Sequence, residues 1–387
     1  MRIALFTNTF LPTVGGLEWK VHFLATKYYE SGHDVVVFRP KPSRSVDGPL
    51  PFIPKYELKY LGLRPFSGYT RLGIAPWLIT QQVAAYHQRK PIDIVHSHSI
   101  DITTKYAVLI KRKINVPVVA TTCGHDIISM PSVGNYWESR TDPKYEKMIG
   151  HNMRCVDAVG AISRGVRKEL ESIGTTAKIL DIPNGVDWDS FQVAERDYFQ
   201  TKLNLPKSAI SIVSLGRNCP QKDFKTGIEA FALIAKNNPN VHYIVAGTNA
   251  MDLRDQAGKT GCGDRIHLMN TIPMTDVPKL LWSADIFFCP SIVEGFAQVV
   301  VQAMACARPC VLSKCCGNED FEGSSFASLG RVGDAASLAN ALGRFVEMDP
   351  GHRKILGLEA HAASKKFAWR VIADSYLTEF ELLRQKP

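Results

Sequence analysis

The chain has 387 residues, 45% of them apolar and 21% charged, and its 46 Lys and Arg against 37 Asp and Glu leave a formal net charge of +9. That length exceeds what one core ordinarily serves, so two domains are expected, and the apolar fraction excludes extended disorder. No apolar run approaches the ~18 residues of a membrane-spanning helix, and no zinc-finger, helix-turn-helix or RNA-binding signature directs the positive charge to nucleic acid.

In chain order, MRIALFTNTF lacks the basic start and long apolar core of a signal peptide and reads as a first strand over 2–6, which makes a cytoplasmic protein the expectation. Further β-branched runs at 34–38 (DVVVF), 93–97 (DIVHS), 116–122 (VPVVATT) and 157–163 (DAVGAIS) read as strands buried on both faces. Between them, 18–32, 76–90 and 163–174 carry apolar residues at helical spacing, and the first ends at Gly32, a natural helix stop. The pattern restarts after Pro206, with strands at 211–216, 242–247, 265–269, 285–290 and 309–313 and helices between them. Strands alternating with helices predict open parallel α/β sheets. The boundary is placed near 190–208, giving domains of 1–195 and 196–367. The last segment, over 368–387, is an amphipathic helix with aromatics on its apolar face, expected to pack back on the first domain. The expected class is α/β, two doubly wound Rossmann-like domains facing across a cleft, with ligands at the carboxyl ends of the strands.

Three stretches carry candidate chemistry. In PTVGGLE (12–18), Gly15 and Gly16 follow the first strand and open the first helix, where free backbone N–H groups suit a phosphate or a sugar hydroxyl; a tight turn is the competing reading. No G-x-G-x-x-G and no P-loop occurs, so nicotinamide cofactors and P-loop chemistry lack support. In SLGRNCPQKDF, Arg217 and Lys222 lie just past a strand end, where a guanidinium fork and an ammonium could hold a diphosphate; solvated surface charge is the alternative. In PSIVEGFAQVVVQAMA, Glu294 stands before a helix expected to begin near Ala297, and Gln302 follows eight residues later. Glu294 reads either as a helix cap or as an acid that holds sugar hydroxyls, with Gln302 toward a ribose.

Weaker candidates remain. His96 and His98 end a strand and either face the cleft or, the preferred reading, merely finish the sheet, while His125 and Asp126 sit past another strand end. Asp187 and Asp189 form a D-x-D that reads as turn and cap chemistry rather than a metal site. The nine cysteines, Cys306, Cys310, Cys315 and Cys316 among them, lack a zinc-ligand pattern and read as reduced core thiols.

Together these fragments, from PTVGGLEWKV and DIVHSHS through PNGVDWDSF, SLGRNCPQKDFKTGIEAF and ADIFFCPSIVEGFAQVVVQAMACARPCV to the aromatic terminal helix, give a sequence that resembles the retaining glycosyltransferases of family 4 over nearly its whole length. The resemblance implies a GT-B fold and transfer of a hexosyl or N-acetylhexosaminyl group from a UDP- or GDP-linked donor without cofactor or metal. It implies Arg217 and Lys222 on the donor diphosphate and Glu294, first acid of an E-x7-E motif, by the transferred sugar. It further implies backbone contacts from Phe296, Ala297 and Val299, and Gly15 and Gly16 bordering the phosphates. Two departures stand out: Gln302 replaces the second acid, lacking a charge-assisted bond to ribose. In the T-x-H-G-x-D loop, Cys123 holds the histidine place, with His125 two residues on as the stand-in.

The segment 56–77 interleaves Lys59, Arg64 and Arg71 with Tyr56, Tyr60, Phe66, Tyr69 and Trp77. This mix suits an anionic membrane surface and a lipid-linked or glycan acceptor, and equally a solvated loop. The rival functions are a nucleotide-sugar epimerase on the same fold and a non-catalytic sugar-nucleotide-binding subunit.

Overall fold

A computed structural model describes residues 1–12, 15–40, 50, 52–61, 74–133, 140–192 and 197–385. The chain forms two compact units, Met1–Asn184 with Trp369–Pro387, and Gly185–Ala368.

The first unit runs β1 (Arg2–Thr7), α1 (Gly16–Glu30), β2 (Asp34–Pro40), β3 (Glu57–Leu61), α2 (Ile74–Arg89), β4 (Ile94–His98), α3 (Ile102–Ile114), β5 (Val118–Thr121), α4 (Pro143–Cys155), β6 (Ala158–Ala161), α5 (Arg164–Ser172) and β7 (Lys178–Asp181). Its seven strands are parallel in the order β3-β2-β1-β4-β5-β6-β7. The second unit runs α6 (Tyr198–Lys202), β8 (Ile210–Leu215), α7 (Phe224–Ala235), β9 (Val241–Ala246), α8 (Arg254–Gly258), β10 (Ile266–Met269), α9 (Val277–Trp282), β11 (Ile286–Cys289), α10 (Gln298–Ala305), β12 (Cys310–Ser313), β13 (Ala327–Gly330), α11 (Ala335–Val346) and α12 (Pro350–Ser364). Its six parallel strands are ordered β10-β9-β8-β11-β12-β13. Each sheet reverses its order once, between β1 and β4 and between β8 and β11, and such a switch point opens a crevice at the carboxyl ends of the two strands.

The central strands β1, β4, β5 and β11 are buried nearly throughout, as β-branched runs covered by helices on both faces should be. Chain reversal returns α13 (Trp369–Arg384) to the first unit, where Trp369, Ile372, Ala373, Tyr376, Phe380 and Leu383 are buried. Trp369 stacks on Phe23 at 5.8 Å, Phe380 meets the edge of Tyr28 at 5.6 Å, and the Tyr376 hydroxyl reaches Thr121 Oγ1 at 2.9 Å. Each large apolar side chain so buried contributes about 1.5–3 kcal/mol, which makes α13 an integral part of that core.

The sequence placed the domain boundary at 195; the chain divides at Asn184 instead. The reason lies in the segment after it. Val186 bridges Ala368 and donates to the Phe367 carbonyl at 2.8 Å, and Trp188 Nε1 donates to Ser364 Oγ at 2.9 Å. These bonds tie the NGVDW turn to the second unit.

Candidate functional site

In the second unit the switch point gathers residues from the ends of β8 and β11. After β8 the backbone passes through Gly216, and after β9 through Gly247, at φ of +152° and +141°. A side chain on Gly247 would collide with the Gly216 carbonyl, and one on Gly216 would press on Lys222 Cε at 3.2 Å, so two bare backbones set the turn that aims the following cations. Lys222 closes a short 3₁₀ turn, Pro220–Lys222, and Asp223, in the left-handed region at φ +45°, caps α7 by accepting from the Thr226 N–H.

Lys222 and Glu294 meet here. Their Nζ and Oε1 lie 2.7 Å apart, with side-chain exposures of 17% and 7%. Gln221 Nε2 donates to Glu294 Oε2 at 3.2 Å and to the Val293 carbonyl at 3.1 Å, and the Gln221 carbonyl accepts from the Ile292 N–H. The Glu294 N–H donates to the Cys316 carbonyl, and Gly317, at φ +83°, lies so close that a Cβ would sit 2.8 Å from the Glu294 carbonyl. Burial pulls the Lys222 pKa down, but the Glu294 charge and hydrogen bond outweigh it and hold the ammonium above its ordinary value. The ammonium therefore keeps its charge in a pocket of low polarity. Arg217, by contrast, is exposed and makes no ion pair or hydrogen bond among the described residues.

Glu294 is not the cap of α10. That place belongs to Ala297, which offers no side-chain bond. The Val300 N–H donates to the Ala297 carbonyl at 3.0 Å, so the N–H groups of Gln298 and Val299 are the ones this eight-residue helix offers another acceptor, and such ends favour anions. The Phe296 side chain is committed to an aromatic cluster with Phe321 and Phe367 at 6.4 and 5.6 Å, so only its backbone is available. Val299 and Gln302 are half-buried, and the Gln302 amide makes no hydrogen bond among the described residues. Only residues 298–302 of the span from Glu294 to Gln302 are helical, so the distance expected for a continuous helix does not apply.

In the first unit, Gly15 has extended backbone at φ −169° and Gly16 opens α1. The competing turn reading fails, since neither glycine takes positive φ. Instead the Glu18 carboxylate, 6% exposed, folds over Gly15 where a Cβ would collide with it. The loop after β5 is pinned by Asp126, fully buried, whose two oxygens accept from the Cys123 and Ile100 N–H groups at 2.9 Å each. Gly124 makes the turn at φ +93°, and His125 and Cys123 are half-buried. Burial beside Asp126 pushes the Cys123 thiol well up. Sequence reasoning missed Lys20, which is 3% exposed and donates to the Thr122 carbonyl at 3.3 Å. Its signal was its phase: Lys20, Leu24 and Tyr28 share one face of α1. Burial lowers its pKa to about 8, against opposing charge from Cys123 and Asp126.

His96 is the core histidine expected, with Nδ1 on the Tyr28 hydroxyl at 3.2 Å and Nε2 on Thr121 Oγ1 at 2.7 Å. His98 differs: it is fully buried, and neither ring nitrogen has a hydrogen-bond partner among the described residues. Asp187 accepts from Ser190 and begins a 3₁₀ turn, as its Asn-Gly context indicates. All nine cysteines are free. In the segment 56–77, Tyr56 is buried on His22, Lys59 pairs with Glu57 at 3.0 Å, and Tyr60 and Trp77 are exposed; Arg64, Phe66, Tyr69 and Arg71 lie outside the described residues. No described helix is long and apolar enough to cross a membrane.

Comparisons with known proteins place this geometry. Residues 14–190 match the family model Glycosyltransferase Family 4, and residues 195–361 match Glycosyl transferases group 1. The phosphatidyl-myo-inositol mannosyltransferase of Mycobacterium tuberculosis is 25% identical, over 98% of this chain and 97% of that one. The alpha-monoglucosyldiacylglycerol synthase of Streptococcus pneumoniae is 23% identical, over 80% of this chain and 70% of that one. The solved structure of Anabaena HepE in complex with UDP superposes with a TM-score of 0.78 at 19% identity, covering 99% of this chain and all of that one. With one glycosyltransferase model matched to each half and a GT-B fold, the chain is a glycosyltransferase of the family 4 and group 1 type.

Proposed function

We propose that the chain is a retaining, metal-independent hexosyl- or N-acetylhexosaminyl-transferase that moves a sugar from a UDP- or GDP-linked donor to a hydroxyl of a glycan or lipid-linked acceptor. Cell-surface polysaccharide or glycolipid synthesis at the inner face of the cytoplasmic membrane is the setting this implies. The observation that carries the reading is the largely buried Lys222–Glu294 pair beside an unpaired Arg217 at the second unit's switch point. Two cations and a helix N-terminus suit a diphosphate; a neighbouring carboxylate suits sugar hydroxyls. The complex of HepE with UDP supports a nucleotide donor, and the names of the two relatives support a lipid-linked acceptor.

In this mechanism the bond from the sugar's anomeric carbon to the diphosphate oxygen breaks, and the electron pair stays on that oxygen, where Arg217 and Lys222 counter it. The acceptor hydroxyl attacks on the same face and its proton passes to the departing phosphate oxygen. Glu294 orients the sugar, the first turn of α10 holds phosphate through the backbone near Ala297 and Val299, and Gln302 faces the ribose. Positioning and charge stabilisation supply the rate enhancement.

A thermal-shift panel of UDP-, GDP- and ADP-sugars, with donor hydrolysis followed for each hit, tests the reading. A UDP- or GDP-sugar raises the melting temperature, and Lys222→Ala lowers turnover by about 10²–10³-fold. If no nucleotide sugar shifts melting, the donor site is wrong. Epimerised donor released without acceptor points to an epimerase, and binding without turnover to a non-catalytic subunit.

A further inference from the structure

A carboxylate holds a sugar only if it is aimed, and two donors aim Glu294. Its Oε1 accepts from Lys222 Nζ at 2.7 Å and its Oε2 from Gln221 Nε2 at 3.2 Å, across 72 and 73 residues of chain. Each oxygen thus has one donor among the described residues and keeps a lone-pair direction for a ligand hydroxyl.

Gln221 works from a fixed frame. Its carbonyl accepts from the Ile292 N–H at 2.8 Å, and the amide nitrogen that reaches Glu294 also donates to the Val293 carbonyl at 3.1 Å. Its two amide protons are therefore divided, one to backbone and one to carboxylate. One residue ties down three consecutive ones, Ile292 to Glu294. The turn that presents it opens on Pro220, with its fixed φ, and closes before the left-handed Asp223 at φ +45°. The Lys222 N–H donates to the Cys219 carbonyl across that turn at 3.0 Å.

The two donors are chemically unlike. Lys222 is a rotatable point charge that spends one of its three protons on Glu294, so an arriving phosphate competes for it. Gln221 is neutral and has both amide protons spent, so an anion has little hold on it. When the ammonium turns toward a phosphate, the Gln221 bond keeps the carboxylate from following. Without that bond, Oε2 is free to swing onto Lys222 as well, and a carboxylate so displaced no longer meets the sugar squarely.

We propose that Gln221 is the positioning residue of this site, holding the Glu294 carboxylate toward the transferred sugar while Lys222 serves the diphosphate. This role rests on the donor-site reading and divides it between neighbours in sequence. Lys222 acts on a group that free nucleotide and nucleotide sugar share. Gln221 acts only through the sugar, and so separates the donor from the nucleotide left after transfer.

Calorimetry with the full chain, using UDP-glucose against UDP and GDP-mannose against GDP, tests the division. Gln221→Met keeps the side-chain length and removes the amide. For the pair that wild type binds, this variant weakens the nucleotide sugar by about tenfold, the value of a lost hydrogen bond to a charged group, and leaves the free nucleotide unchanged. A merely structural role would weaken both alike. Gln221→Asn, too short to span the gap yet still polar, gives the same split and decides the matter if the methionine variant does not fold. On a Glu294→Ala background Gln221→Met costs nothing further, because both residues act through one contact. Equal losses for nucleotide and nucleotide sugar, an unchanged preference between them, or full additivity with Glu294→Ala overturns the positioning role alone. If wild type binds neither pair, the donor-site reading falls, and the positioning role with it.

Discussion

Lys20 and Gln302 show how single side chains carry consequences that their neighbours in sequence conceal. The folded-state pKa of Lys20, about 8, lies below the ordinary value of 10.5, because burial opposes its charge more than Cys123 and Asp126 favour it. The unfolded chain therefore binds that proton more tightly. Protonation costs stability in full below about pH 8, and the penalty fades as pH rises from there to 10.5. Lys20→Met escapes it, so the variant is more stable by on the order of 3 kcal/mol at pH 7, and urea unfolding across pH 7–10.5 shows the gap closing. A gap that stays constant with pH refutes the burial argument. Gln302 sits half-buried on α10, its amide without a hydrogen bond among the described residues. An acid there would accept two charge-assisted bonds from a ribose, so Gln302→Glu tightens donor binding by about tenfold. Calorimetry with the donor identified by the thermal panel reads the change directly, and unmoved affinity means that the ribose is held elsewhere.

At the scale of elements, glycine placement governs the cation turn. Gly247→Ala forces a Cβ into the Gly216 carbonyl and strains φ +141°. The expected loss is at least about 2 kcal/mol of stability, together with weaker donor binding, because the displaced backbone carries Arg217 and Lys222. Chemical denaturation and the same calorimetry measure both, and a variant with normal stability would show that β9 yields without cost. The elements differ in how plainly the sequence announced them. The central strands and α13 were legible because continuous β-branched runs and an aromatic stripe have only one stable placement. The strands β3, β7 and β13 were not: ELKYL and KILD are edge strands with one buried residue each, so the apolar signal thins, and ASLG, though mostly buried at the other sheet's edge, is a four-residue run with a single large apolar side chain. In the site, Glu294 was legible as a residue and ambiguous as a role, because caps and sugar ligands use the same acid. Its ion pair with Lys222 spans 72 residues and needs the fold to appear. His98 read as core for the same reason: burial was foreseeable from DIVHSHS, the missing partners were not.

For the whole molecule the decisive quantities are charge and exposed aromatic surface. A net charge of +9 attracts an anionic bilayer at about 1 kcal/mol for each basic residue near it, an attraction that fades beyond a Debye length of ~10 Å at 0.1 M salt. Not every cation counts. Lys59 and Lys90 both spend their charge on Glu57, and Lys55 lies 4.0 Å from Glu30. Trp77 is 61% exposed on α2 and Tyr60 51% exposed on β3, and aromatic side chains of this kind settle at the lipid headgroup level. Two contributions of different salt dependence follow, one electrostatic and one apolar. In flotation with vesicles containing anionic lipid, the protein rises with the vesicles at low salt and is largely released at high salt. Trp77→Ala lowers the bound fraction at every salt concentration, since loss of a large apolar contact is not screened. If the protein stays at the bottom of the gradient at low salt as well, peripheral association through this surface is wrong, and the positive charge serves the anionic donor alone.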